Sequence, residues 1–110
     1  MPAPSQLSIA TSAVIRLSKE ESSYHQELEQ QKVRIAKLEA SNGDEYEIKQ
    51  EKQALEETHK VFPSLHIKIR DAVAKLEAQV REQGSEASSE EITKAREAIA
   101  AGQAAVKESA

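Results

Sequence analysis

The 110 residues contain no cysteine and no tryptophan, and aromatic side chains make up only 3% of them. Without cysteine there are no disulfides and no thiolate metal sites, and nothing in the sequence points to an oxidising compartment. Glycine is scarce too: Gly43, Gly84 and Gly102 stand alone, and none lies in the G-x-G or G-K-[ST] context of a phosphate-binding loop. No apolar stretch reaches the roughly 18 residues that a membrane-spanning helix needs. The opening "MPAPSQLSIATSAVIRL" lacks the basic start and apolar block of a secretory signal. Positive charge is in deficit, with 15 basic against 19 acidic residues and a net charge of -4. A nucleic-acid footprint and attraction to an anionic membrane are therefore both disfavoured. The expectation is a protein of the cytoplasm, small enough to form one domain over residues 1–110.

What the chain does have is charge, at 31%, and a spare 38% of hydrophobic residues, a composition that favours long helices and coiled coil. Steps of three and four from Leu7 pass through Ala10, Val14, Leu17, Glu21, Tyr24, Leu28, Gln31, Ile35 and Leu38. From Ile48 they pass through Glu51, Leu55, Thr58, Phe62, Leu65, Ile69, Ala72, Leu76 and Gln79, and from Ile92 through Ala95, Ile99, Gly102 and Val106. About three quarters of these seam positions are apolar or aromatic, twice the frequency of the whole chain, and the period is that of packed helices.

The interruptions fall where helices end. In "SNGDEYE", Gly43 reads as a left-handed stop, and Asp44 with Glu47 as a capping box that opens the next helix. In "QGSEASSEE", Gly84 closes a helix and Ser88 with Glu91 opens another. After Pro2 and Pro4 the first helix begins near Ser5, with Thr11 or Ser12 as caps for a shorter one. Helices are thus expected at about 5–40, 45–83 and 89–107. One stretch resists: "KVFPSLHIKI", residues 60–69, alternates like a strand. No second run of strand composition exists to pair with it, and Phe62, Leu65 and Ile69 continue the helical seam, so it reads as helix. Pro63 then lies inside a helix, removes one backbone donor and is expected to kink it, turning Ile67 inward. The fold class expected is all-α: an elongated antiparallel three-helix bundle, up-down-up with coiled-coil packing, about 55 Å long.

Such a thin core leaves no room for an interior small-molecule site. His25, His59 and His66 are the only histidines. The last two stand seven residues apart, about 10.5 Å along a helix, too far to share a metal directly. They read as solvated or boundary residues. The paired carboxylates Glu20 with Glu21 and Glu90 with Glu91 read as helix-dipole and surface charge, not as general acids, and the polar seam residues as register markers. No catalytic residue, metal site or cofactor is expected, which leaves surfaces. Arg16 and Lys19 project from the first helix away from its seam, with Ser23 a turn further and Glu20 and Glu27 beside them.

The stretch "VIRLSKEESSYHQELEQQ" resembles the tubulin-binding cofactor A family, through Val14, Arg16, Leu17, Lys19, Glu20, Tyr24 and Glu27. The likeness continues without a gap through Gly43, Tyr46, Ile48, Lys49, "LEET" at 55–58 and Pro63, then weakens. What the resemblance implies is a non-catalytic, cytoskeleton-associated chaperone that captures β-tubulin and passes it toward heterodimer assembly, together with other tubulin-folding cofactors. Tyr46 and Lys49 then join the outer face of the first helix as candidate contacts. Two rivals differ in what they need: a generic coiled-coil scaffold or tether, whose seam another chain would complete, and a membrane-surface helix, which would need a basic face that is not seen.

Overall fold

The computed structural model describes residues 5–107; Pro2 and Pro4 lie outside them. Three helices follow in order: α1 (Gln6–Ala40), α2 (Glu45–Gln83) and α3 (Ser89–Lys107). Among the described residues there is no strand, and the stretch 60–69 is helical throughout. The body measures 62 × 28 × 18 Å, a rod somewhat longer than the helix rise suggested.

Each helix start has a chemical cause. Ser5 caps α1, its hydroxyl accepting from the Ser8 amide at 3.1 Å, so neither Thr11 nor Ser12 is needed. Ser88 and Glu91 form the reciprocal box: the Ser88 hydroxyl accepts from the Glu91 amide at 3.1 Å, and Glu91 Oε1 accepts from the Ser88 amide at 3.5 Å. The other carboxylate oxygen of Glu91 accepts from the Ser5 hydroxyl at 3.2 Å, which ties the starts of α1 and α3 together. Asp44 caps α2 by accepting from the Tyr46 amide at 3.2 Å. Glu47 makes no return bond, so this end has a cap without the box.

The first turn differs from expectation in one residue. The left-handed position is Asn42, at φ 54°, and Gly43 has no positive φ. Glycine at 43 serves closeness instead. Its amide donates to the Leu38 carbonyl at 2.7 Å, and a Cβ there would sit 3.0 Å from both that oxygen and Leu38 Cδ2. Gly84 likewise ends α2 in right-handed geometry, at φ −59°, with its amide on the Val80 carbonyl at 2.9 Å.

The core is tightest where three helices meet. Leu7 and Val14 of α1 pack with Leu65, Ile69, Val73 and Leu76 of α2 and Ala95 and Ala98 of α3. Alanines and Gly102 let α3 lie close: a Cβ on Gly102 would come within 2.6 Å of Val73 Cγ2 and 3.1 Å of Val14 Cγ1. Thr11, His66, Val73 and Ala98 are buried although the seam count passed them over. The third helix widens the buried stripe of its neighbours beyond the two-helix pattern. α3 is half the length of α2, so Leu28, Ile35 and Phe62 are buried outside this cluster, in a stretch where α1 and α2 pair largely with each other. α2 runs through Pro63 as one helix. Ile67 does not turn inward; it is 58% exposed. Val73 takes the inner position that α3 creates, and the helical phase leaves Ile67 outside.

Candidate partner-binding surface

The residues expected on the outer face of α1 come together in part. Arg16, Lys19, Glu20 and Ser23 line one shallow depression with Ser12, Ile15 and Tyr24. A seam that buries Val14, Glu21 and Leu28 forces the positions between them outward at about 100° per residue. None of Arg16, Lys19 and Glu20 has an ion-pair partner among the described residues. Ile15 is an exposed apolar side chain beside them, so the patch offers two cations, a carboxylate, three hydroxyls and an aliphatic surface.

Glu27 is not part of it. Its carboxylate lies 3.7 Å from Arg34 Nη2, and Arg34 also reaches Glu51 of α2 at 3.5 Å. Tyr46 and Lys49 lie at the far end of the rod, beside the first turn. Tyr46 is exposed and its hydroxyl accepts from Gln50 at 3.0 Å. Lys49 borders a separate shallow depression with Glu45, Ile48, Lys52, Gln53 and Glu56. The seven candidate contacts therefore do not form one site: four share the depression on α1, Glu27 pairs with Arg34, and Tyr46 and Lys49 lie toward the first turn.

The groups that sequence reasoning set aside make the most constrained polar cluster. Glu21 is 3% exposed, and its Oε2 accepts from two imidazoles: His25 Nε2 at 2.8 Å, one turn along α1, and His66 Nε2 at 2.9 Å, across on α2. The His25 ring lies over Phe62, with centroids 4.5 Å apart. Tyr24 meets Phe62 edge-on at 6.4 Å. Glu21 is thus neither a surface charge nor a bare register marker, and His66 is not solvated. The missed signal was the (i, i+4) spacing of Glu21 and His25 together with a second histidine at the matching height of α2. Among the described residues no group of three or more His, Asp or Glu could hold a metal ion. The cluster has the chemistry of a structural clasp between α1 and α2, in which one buried carboxylate is satisfied by two donors.

This arrangement has relatives. The family model described as Tubulin binding cofactor A matches residues 2–99. The chain belongs to the tubulin binding cofactor A family. It is 39% identical to tubulin-specific chaperone A of Saccharomyces cerevisiae over 103 residues, covering 92% of this chain and 93% of that one. It is 30% identical to the Homo sapiens tubulin-specific chaperone A, covering 86% and 88%. Among solved structures, the β-tubulin binding post-chaperonin cofactor Rbl2p superposes with a TM-score of 0.81 at 34% identity, covering 94% of this chain and 99% of that one. Tubulin folding cofactor A from Arabidopsis thaliana superposes at 0.79 and 28% identity, covering 88% and 92%. The likeness that faded after Pro63 in the sequence thus runs through most of α3, and the bundle is the fold of this family. No helix among the described residues is long and apolar enough to cross a membrane.

Proposed function

We propose that this chain is a non-catalytic tubulin-folding cofactor of the cytoplasm, which captures β-tubulin and passes it on toward heterodimer assembly. The observation that carries this reading is the near end-to-end likeness, in sequence and in fold, to a solved cofactor that binds β-tubulin. The architecture suits the role. A rod whose core is filled by its own side chains works through its surface, by many weak contacts. The outer face of α1 supplies a first set: Arg16 and Lys19, unpaired and exposed, beside Ile15.

Acidic clients are drawn to such a face mainly through encounter rate and partner choice. The Arg16→Glu, Lys19→Glu double variant should keep its melting temperature, because exposed substitutions usually stay within about 0.5 kcal/mol. It should lose capture of purified β-tubulin, and the wild-type interaction should weaken as salt is raised. Folded charge-reversed protein that retains β-tubulin as well as wild type at low salt would move the contact face off α1. Wild-type protein that fails to retain β-tubulin at all would overturn the reading itself.

A further inference from the structure

The slot that α3 occupies does not end with α3. Gly102 sits level with Val14 of α1 and between Ile69 and Val73 of α2. Five residues further, at about 1.5 Å each, Lys107 comes level with His66. From that height onward the same side of the α1–α2 pair is an open groove. Its apolar surfaces are Leu28, Phe62, Pro63 and Ile67, and His59 and Arg70 stand among them. The helical phase agrees. His59, Pro63, His66 and Arg70 follow one another at steps of three and four along the α3 side of α2. Lys68, Asp71 and Lys75, which line the groove on the other side of the pair, lie about half a turn away.

We infer that this groove is a docking site for an amphipathic, acidic helix of the β-tubulin client, which takes up the place beside α1 and α2 that α3 leaves open. The inference rests on the reading that β-tubulin is the client, and adds where one of its segments sits. Charge selects the occupant. Every ionisable group lining the groove is an arginine or a histidine, in a chain whose net charge is -4. Arg70 and His59 are exposed and have no ion-pair or hydrogen-bond partner among the described residues. The carboxylate of Glu21, beneath the groove, is buried and already engaged by His25 and His66. Shape selects a helix, because the groove continues one that a helix already fills. Ile67 supplies the exposed apolar contact, and the His25–Phe62 stack forms a firm wall. An amphipathic helix laid into an apolar groove, with its acidic flank on the basic rim, is an established mode of recognition.

The exposure of Ile67 makes the test direct. A photo-reactive benzoylphenylalanine replaces Ile67, and the protein is irradiated with purified β-tubulin. The expected adduct is a β-tubulin peptide rich in Asp and Glu with apolar residues at helical spacing. In parallel, Ile67→Asp and Arg70→Glu are expected each to weaken capture of β-tubulin by about tenfold or more, with melting temperatures unchanged. If wild type retains β-tubulin and both folded variants retain it equally, the groove assignment falls while the client reading stands. An adduct to a second copy of the chain, to its own residues 108–110, or to a basic segment of β-tubulin also overturns it. Should wild type retain no β-tubulin, the client reading fails and takes the groove assignment with it.

Discussion

Glu21 is the residue whose replacement discriminates best between a decorative and a structural polar group. Its carboxylate is buried and holds two imidazoles, but the two donors differ: the His25 side chain is 41% exposed and the His66 side chain 7%. In Glu21→Leu the imidazole of His25 regains water at little cost. His66 cannot, and taking the acceptor away from a buried donor costs about 1–3 kcal/mol, with loss of the charged acceptor pushing toward the 3–5 kcal/mol seen when one member of a buried pair is removed. Leucine recovers part of this through its own burial. The net expectation is a loss of about 2 kcal/mol.

The pair can be separated from the site by a double-mutant cycle in urea. His66→Leu alone takes one of two imidazoles from a buried carboxylate, and should also cost about 2 kcal/mol or more. The Glu21→Leu, His66→Leu double variant replaces both partners by apolar groups, a change that is often near neutral. The two single losses should therefore not add, and the coupling should approach their sum, about 4 kcal/mol. Additivity within about 0.5 kcal/mol, the behaviour of independent sites, would refute the idea that Glu21 clasps α1 to α2. Glu21→Gln is the intermediate case, because its remaining carbonyl oxygen still accepts from one imidazole.

Gly102→Ala should destabilise although alanine is the better helix former by about 1 kcal/mol. Its Cβ would meet Val73 Cγ2 at 2.6 Å, and overpacking of this kind costs about 1–3 kcal/mol; a rise in melting temperature would show that α3 yields easily. Pro63→Ala should stabilise, by up to about 3 kcal/mol. Ile67 is exposed with the proline in place, so no packing of that side chain depends on a bend there, and a lowered urea midpoint would mean that the proline aims other core residues.

Much of the fold could be read in the sequence because long helices advertise themselves by period. The seam from Leu7 to Ile35 and from Thr58 to Leu76 needs only the helical repeat and the partition of apolar groups from water. The caps at Ser5, Asp44 and Ser88 need only local hydrogen-bonding chemistry. What could not be read depends on the third helix and on distance across the hairpin. A seam drawn for two helices passes over Val73, because nothing local announces that α3 will arrive on that side. Glu21 and His66 are 45 positions apart, and only the register of the α1–α2 hairpin, set by its short turn, brings them to one height. Asn42 took the left-handed position in place of Gly43 because asparagine tolerates that geometry, and the adjacent glycine was needed for close approach to Leu38.

The unequal lengths of the helices connect the fold to the function proposed for it. At the end where α1 and α3 begin, three helices share a dry core, and the Ser5–Ser88–Glu91 bonds hold their starts together. Toward the first turn, α1 and α2 pair with a thinner core, and cross-helix ion pairs such as Arg34 with Glu51 and Lys52 with Glu39 are exposed and individually weak. The Glu21–His25–His66 clasp and the Phe62 stack lie at the boundary between these regions, where α3 ends and its shielding stops. A buried ionic cluster there joins the two long helices at the height where a third no longer does. The same boundary leaves His59 and Pro63 exposed on the α3 side of α2. The clasp keeps the groove walls in register, and the short third helix leaves them bare. Both features follow from a rod built of two long helices and one of half their length.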